Sequence, residues 1–267
     1  MILYNTNKWE EIQKNSYIFQ SDEGFAKYLF ESGMFFTEEN IVDLIKNKIS
    51  NSYDGVFIDI GANIGAYTMC LAKNFIHTYA FEPVVNTYNI LCGNIAINDL
   101  SNITTLINAG LSDYEHEMIM HEYDTLGSLT HLTEDETDTL DQYYKNFNFY
   151  NISSKITVKT LDQYNIENVK LIKIDVEGNE LKVLKGAENT IKKSNYPVLI
   201  LESWHIDNND TDEIKEYKSN LRNELFTYVK NLGYNISNTQ NPEVFICEYN
   251  AVKEQQETKK KVKQIFY

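Results

Sequence analysis

Cysteine, proline and long apolar runs are all scarce in this chain of 267 residues. The three cysteines are scattered and form no CxxC pair, which favours buried, reduced thiols over a disulfide framework. No apolar run approaches the roughly 18 residues that a membrane-spanning helix needs. The first residues, MILYNTNKWE, lack the regions of a signal peptide. We therefore expect a soluble, cytoplasmic protein with no membrane span.

Positive charge is also in short supply. The chain has 24 Lys and Arg against 39 Asp and Glu, a formal net charge of −15. A general nucleic-acid binder needs a basic face for phosphates, so this class is disfavoured, although a small basic groove remains possible. Hydrophobic residues make up 42% of the chain, which is typical of a globular protein. The length allows one elaborated α/β domain or two small ones.

Strand and helix patterns alternate from about residue 55 onward. Short β-branched runs such as 56–60 and 198–201 are typical of buried strands. Amphipathic segments such as 84–95 predict helices between them, and one helix is predicted to include residues 181–191. The alternation predicts an α/β fold, with a mostly parallel central sheet covered by helices on both faces.

Two regions lie outside this alternation. Residues 1–50 are rich in aromatic residues and contain helical patches, so we predict an N-terminal helical extension. Residues at about 112–160 are predicted to form an inserted excursion with hairpin strands, serving as a lid or a packing appendage. The main α/β domain is then expected at 51–250, followed by a charged C-terminal tail at 251–267.

The motif Asp59-Ile60-Gly61-Ala62-Asn63-Ile64-Gly65 follows a predicted strand and precedes a predicted helix. Ligands of open α/β sheets bind at the carboxyl ends of the strands, and glycine lets the backbone approach them closely. Glu82 ends the next strand, about 20 positions past this loop, where an acid can hold the two hydroxyls of a ribose. The two strands predict a pocket for a cofactor that contains adenosine.

The glycine loop also bears on the kind of cofactor. A dinucleotide site favours GxGxxG, so that a helix N-terminus faces a pyrophosphate. This loop reads DxGxNxG, and its leading carboxylate suits a cationic ligand such as S-adenosylmethionine, which carries a sulfonium and an ammonium group. A nucleotide site and a purely structural turn are the alternatives.

Several ordered motifs together resemble the FkbM-type methyltransferases. They are DIGANIGAYT, FEP, NAGLSD, TLDQY, LIKIDVEGNE, VLKGAENTI and PVLILES, and they cover roughly residues 55–205. The resemblance implies a class I enzyme with a Rossmann-like fold and S-adenosylmethionine as methyl donor. It also implies O-methylation, often of sugars in glycans, glycolipids or natural products.

The resemblance implies roles for residues on the donor side. Asp59, Gly61, Asn63 and Gly65 match the first motif and are expected to line the methionine and ribose end of the donor. Glu82 matches the acid that binds ribose. Enzymes of class I usually contact the adenine just after the third strand, where this chain has Asn108, Ser112 and Asp113. Simple turn chemistry is an alternative role for these three residues.

Three residues on the same rim are candidates for handling the acceptor. Methyl transfer to a hydroxyl is an in-line displacement in which the acceptor proton must leave, and a carboxylate or imidazole can take it. We predict that His205 takes the proton because imidazole titrates near neutral pH, and that Asp175 orients the hydroxyl. Glu177 is either a further catalytic candidate or a cap for the helix starting near Asn179.

Other roles for this region stay open. Asp175, Glu177, Glu202 and His205 together could hold a divalent cation, which the sequence does not require. His131 is a weaker catalytic candidate. The aromatic run at 143–150 could stack on pyranose rings, or pack onto the domain or onto a second subunit of a homodimer.

The sequence thus favours a methyltransferase acting on a small-molecule or carbohydrate hydroxyl. A nucleic-acid 2′-O-methyltransferase is the rival among enzymes, but it would need a basic trench for phosphates. A module that binds the donor without catalysis is the rival outside them.

Overall fold

The computed structural model describes residues 2–5, 17–20, 39–49, 54–122, 130–133 and 152–250. The aromatic run at 143–150 and the tail at 251–267 lie outside these described residues. The strands are β1 (Ile2–Asn5), β2 (Tyr17–Gln20), β3 (Val56–Ile60), β4 (His77–Phe81), β5 (Thr104–Ile107), β6 (Gly110–Leu111), β7 (His116–Glu122), β8 (Thr130–Thr133), β9 (Ile152–Lys159), β10 (Val169–Ile174), β11 (Val198–Glu202), β12 (Tyr234–Asn238) and β13 (Val244–Tyr249). The helices are α1 (Glu39–Lys48), α2 (Ala66–Leu71), α3 (Val85–Ile97), α4 (Glu180–Lys185), α5 (Glu188–Lys193) and α6 (Asp212–Asn231).

Seven strands form the central sheet, in the order β12-β13-β11-β10-β3-β4-β5. The pairs from β11 through β5 are parallel, whereas β13 runs antiparallel to both of its neighbours. All five residues of β3 are buried, as expected where helices cover both faces of a sheet. The predicted mostly parallel α/β fold is confirmed.

Successive residues of the central strands face opposite layers of the core. Phe57 and Leu171 pack with α1 and α2, whereas Ile58 and Ile172 pack in the cluster that includes α4, α5 and α6. This alternation follows from the two-residue period of side chains along a strand. The sheet is therefore the middle of three layers.

The order of the sheet reverses between β3 and β10. After β3 the chain builds outward through β4 to β5, and it then returns to place β10 on the other side of β3. Ligands of open α/β sheets bind beside the carboxyl ends of the strands at such a reversal. The glycine loop after β3 and Asp175 after β10 meet there, because Asp175 N donates a hydrogen bond of 3.1 Å to Ile60 O.

The insertion between β5 and β10 forms a second, four-stranded sheet in the order β6-β9-β7-β8. Strands β7 and β8 are antiparallel, as are β7 and β9, so the predicted hairpin strands are present. In the N-terminal region, α1 agrees with the predicted helical patch. The antiparallel pair of β1 and β2 is an addition that the helical interpretation of this region missed.

The predicted single helix over 181–191 is wrong, because it is divided into α4 and α5. At the break, the carbonyl of Gly186 accepts a hydrogen bond from Asp162 N at 3.0 Å. The Asp162 carboxylate then accepts from the first-turn N–H groups of Asn189 and Thr190, at 3.1 and 2.8 Å. A carboxylate at this position satisfies amides that a new helix would otherwise leave unpaired.

None of the helices in the described part of the chain is both long enough and apolar enough to span a membrane.

The break between α4 and α5 generates a stability prediction. Gly186→Ala should lower the free energy of unfolding by about 1–3 kcal/mol, because overpacking forces the backbone to shift. An added Cβ would lie 2.0 Å from Ser112 O, which is a backbone atom. Urea unfolding measures the change, with exposed Lys185→Ala as a control expected to stay within about 0.5 kcal/mol. Equal stability of the two variants would contradict the close packing.

Candidate active site

One cleft lies at the carboxyl ends of β3, β4 and β10. Its empty volume is about 640 Å³, part of it open to solvent. It is lined by Gly61 and Asn63 of the glycine loop, by Glu82 and Pro83, by residues 109–111, and by Asp175, Val176 and Glu177. Met120 and Leu132 from the second sheet also face the cleft. Residues from three strand ends and from the insertion therefore share one space.

The glycine loop follows β3 in a conformation that requires glycine. Gly61 has a φ of 72°, and an added Cβ would lie 1.7 Å from Asp175 O. Gly65 has a φ of 97° and begins α2. Asn63, with a φ of 51°, turns its side-chain oxygen onto Ile64 N at 2.7 Å. The loop can bend back under a ligand because its backbone adopts left-handed conformations.

Glu82 links the loop after β3 to the loop after β4. Its carboxylate accepts hydrogen bonds from Asn63 N at 2.9 Å and from Val84 N at 2.8 Å. The side chain is nearly buried, and burial raises the pKa of Glu82 to about 7. The predicted ribose acid thus lies on the cleft and is held by the glycine loop itself.

The three residues predicted near the adenine lie in different surroundings. Asn108 donates to Glu82 O at 2.8 Å and to Pro83 O at 3.0 Å, so it braces the loop after β4. Ser112 is fully buried and donates to Asp113 Oδ1 at 3.1 Å. Ala109, Gly110 and Leu111 line the cleft, whereas Asn108, Ser112 and Asp113 are all outside its lining.

Lys173, in β10, lies beneath the cleft and was not singled out from the sequence. Its ammonium donates to Gly61 O at 2.8 Å and to Asp175 Oδ2 at 2.9 Å, and it lies 3.7 Å from Asp59 Oδ1. Burial opposes its charge, but the two aspartates hold the pKa of Lys173 above its ordinary value. The sequence signal was a lysine inside the apolar run Leu171–Ile174.

Asp59 is the buried partner of this ammonium. Its Oδ2 accepts from Thr68 Oγ1 at 2.5 Å, and the side chain has no exposed area. Burial raises the pKa of Asp59, although Lys173 and Thr68 act in the opposite direction. Asp59 is therefore buried outside the lining of the cleft, where it pairs with Lys173 and accepts a hydrogen bond from Thr68 in α2.

Three carboxyl groups lie close together at the ends of β10 and β11: those of Asp175, Glu177 and Glu202. Burial, reinforced by the Asp175 charge, raises the pKa of Glu177 to about 8. The same two causes, in the same order, raise the pKa of Glu202 to about 11, and its carboxyl is hydrogen-bonded to Asp175. At neutral pH Glu202 is therefore protonated and can donate to the Asp175 carboxylate.

The loop between β10 and the next helix is held by Glu180, the first residue of that helix. Glu180 Oε1 accepts from Val176 N at 3.2 Å and from Gly178 N at 3.0 Å. Glu177 instead has a φ of 52°, and its Oε2 accepts from Trp204 Nε1 at 2.6 Å. This hydrogen bond joins the Glu177 carboxylate to the loop after β11, and the capping role considered for Glu177 stays a prediction.

The two predicted histidines differ in what the structure describes. His205 is exposed, and its backbone N–H donates to Glu243 Oε1 at 2.8 Å while its carbonyl accepts from Lys218 Nζ at 3.2 Å. It does not belong to the cleft lining. His131 lies in β8, paired with His121 in β7, and its side chain is outside the described residues.

No cluster of three or more His, Cys, Asp or Glu side chains suited to a metal ion occurs among the described residues.

The fold and the cleft together define a class I methyltransferase with S-adenosylmethionine as its donor. Residues 59–236 match the model of the FkbM methyltransferase domain, and the chain belongs to this family. The residues of the cleft fit the donor, because the floor at Gly61 leaves no room for a Cβ and the Glu82 carboxylate lines the wall. The predicted family, fold and cofactor are confirmed.

Relatives of known name are methyltransferases. Methyltransferase sdnD of Sordaria araneosa is 25% identical over 216 residues, which cover 72% of this chain and 77% of the relative. Hexuronic acid methyltransferase AglP of Haloferax volcanii is 24% identical over 169 residues, which cover 61% of each protein. This chain therefore spans less than two thirds of the length of AglP.

Solved structures show the same fold. A Staphylococcus aureus protein, provisionally classed as a caffeoyl-CoA O-methyltransferase, superposes with a TM-score of 0.52 and 14% identity. The alignment covers 86% of this chain and 94% of that protein.

The raised pKa of Glu202 generates a prediction about pH. A carboxyl whose pKa is higher in the folded state stabilises the fold below its unfolded value, near 4.5, and this stabilisation is lost as pH rises toward about 11. Glu202→Gln replaces this titratable carboxyl with a neutral amide, so the loss of stability with rising pH disappears at this position. The variant should therefore melt higher than wild type, by a margin that grows between about pH 5 and pH 9. Parallel melting curves across that range would contradict the assignment.

Proposed function

We propose that this protein transfers a methyl group from S-adenosylmethionine to a hydroxyl oxygen of a sugar, in a glycan, a glycolipid or a nucleotide sugar. The observation that carries the proposal is a single cleft lined both by Glu82, the candidate ribose acid, and by the ionisable carboxyls of Asp175 and Glu177. The similarity to a hexuronic acid methyltransferase supports a sugar acceptor.

We assign the donor side to the glycine loop and Glu82. Gly61 and Asn63 line the cleft and provide backbone groups without steric hindrance. Glu82 would exchange its bond to Asn63 N for the ribose hydroxyls, and Asn108 keeps the Glu82 loop in place. Asp59 and Gly65 act from beneath, by fixing Lys173 and the start of α2.

On the acceptor side, the bound donor would supply an electrophilic methyl group. Asp175, whose carboxylate is held by Lys173 and by protonated Glu202, would accept a hydrogen bond from the acceptor hydroxyl and so orient its oxygen. Glu177 lines the same wall of the cleft and would take the proton. A carboxylate with a pKa of about 8 is a stronger base than an ordinary glutamate.

Glu177 replaces His205 in this proposal for a geometric reason. His205 is exposed and is not among the residues that line the cleft, and its backbone is hydrogen-bonded to Glu243 and Lys218. Glu177 and Asp175 are neighbours in the cleft lining, where an acceptor bound beside the donor would lie.

A methyl-transfer assay with a labelled donor tests the function. Free monosaccharides, nucleotide sugars and oligosaccharides serve as acceptors, with single-stranded RNA as the comparison. Transfer to a sugar hydroxyl is expected, and product analysis should place the label on oxygen. Transfer to RNA alone would favour the nucleic-acid enzyme, and donor binding without transfer to any acceptor would favour the binding module.

The donor assignment generates a prediction about Glu82. S-adenosylmethionine should raise the melting temperature by mass action, whereas NAD should not. Glu82→Ala should weaken donor binding by about 1–3 kcal/mol, the usual cost of leaving buried polar partners unpaired. Calorimetric titration measures the affinity, with Glu115→Ala as a matched acid outside the cleft lining. Unchanged affinity in Glu82→Ala would contradict the ribose assignment.

The proton-transfer assignment generates a comparison of two variants. Glu177→Gln should lower kcat about 10²–10⁴-fold, the usual cost of losing a general base. His205→Ala should change kcat far less, and donor affinity should hold in both. Wild-type kcat should fall as pH drops below about 8, because Glu177 then becomes protonated. The reverse ranking of the two variants would return the base to His205.

A further inference from the structure

Trp204 lies two residues after the end of β11 and contacts the loop after β10. Its indole Nε1 donates a hydrogen bond of 2.6 Å to Glu177 Oε2. Its ring also lies against Gly178, where an added Cβ would be 2.7 Å from ring carbon Cη2. The indole therefore contacts two consecutive residues of the loop that carries the proposed proton acceptor.

That loop has an unusual backbone. Glu177 has a φ of 52° and Gly178 a φ of 96°, so a residue with a Cβ is held in the left-handed region. Such a conformation costs free energy and persists only where the surroundings enforce it. On one side Glu180 accepts from Val176 N and Gly178 N, and on the other Trp204 holds the Glu177 carboxylate.

Trp204 is itself fixed by α6. Arg222 donates to Ser203 O at 2.6 Å, to Ser203 Oγ at 3.3 Å and to the carbonyl of Trp204. Its guanidinium carbon lies 5.3 Å from the centre of the Phe245 ring in β13. The residue that donates the indole N–H to Glu177 is thus held in place by α6 and β13, and not by the loop that carries Glu177.

We propose that Trp204 is a positioning residue for Glu177, which fixes the carboxylate toward the cleft and stabilises its ionised form. The inference rests on the proposed function, because it assumes that Glu177 takes the acceptor proton. The titratable groups that face Glu177 are the carboxyls of Asp175, Glu180, Glu202 and Glu243. Their negative charge opposes ionisation of Glu177, and the hydrogen bond from the indole favours it.

The contact can be tested without catalysis. The chain has two tryptophans, so Trp9→Phe leaves Trp204 as the single source of tryptophan emission. In that variant the emission should change with pH, with a midpoint near the Glu177 pKa of about 8. The change should vanish when Glu177→Gln is added. Emission that titrates identically with and without Glu177 would overturn the proposal.

Kinetics test the positioning role. Trp204→Phe keeps an aromatic ring but removes the N–H donor, and hydrogen bonds to charged groups are the strong ones. We expect kcat to fall about 10- to 100-fold, with donor affinity and melting temperature near wild type. The acid limb of the pH profile should move to higher pH, because the ionised carboxylate has lost its donor.

A double-mutant cycle separates positioning from general damage to the fold. In a Glu177→Gln background, adding Trp204→Phe should leave kcat nearly unchanged, since the two side chains act as one unit. An equal loss in both backgrounds, or a wild-type pH profile in Trp204→Phe, would overturn the proposal. If no acceptor is methylated but the Trp204 emission still depends on Glu177, the contact is supported and the proposed function alone fails.

Discussion

The buried ammonium of Lys173 is the interaction on which the rest of the site depends. It joins the carbonyl of Gly61 to the carboxylates of Asp59 and Asp175, and it lies 5.4 Å from the centre of the Tyr67 ring. A buried charge is tolerated only when it is paired, and removing one partner leaves an uncompensated charge that typically costs about 3–5 kcal/mol. One lysine thereby connects the glycine loop after β3 to the loop after β10.

The ends of β10 and β11 hold more carboxyl groups than Lys173 can balance. Burial keeps the surplus partly neutral, which is why the pKa of Glu177 and of Glu202 is raised. The consequence is a graded set: Asp175 is paired with the ammonium, Glu202 is protonated, and Glu177 titrates near pH 8. Neighbouring carboxyls pushed apart in pKa are a common basis for assigning separate acid and base roles.

The insertion gives this common fold its individual cleft. Met120 of β7 and Leu132 of β8 add apolar side chains to a cleft that is otherwise lined by the strand ends and loops of the main domain. Asn179 donates to Leu132 O at 3.0 Å, so the second sheet is bound to the loop that carries Asp175 and Glu177. The fold supplies the cleft at the strand ends, and the insertion forms part of its wall.

The sequence by itself determined the parallel sheet, the glycine loop and Glu82, because local periodicity and turn chemistry encode strands, helices and close backbone approaches. It also placed Asp175 and Glu177 at a strand end. Only the tertiary structure decided which side chains meet: Lys173 with Asp59, Glu177 with Trp204, and Glu202 with Asp175. These pairs join residues that are far apart in the chain. A local sequence pattern does not determine which strands become neighbours or how deeply their side chains are buried. Burial and neighbouring charges set the protonation states of Glu177 and Glu202, so only the tertiary structure decided these states.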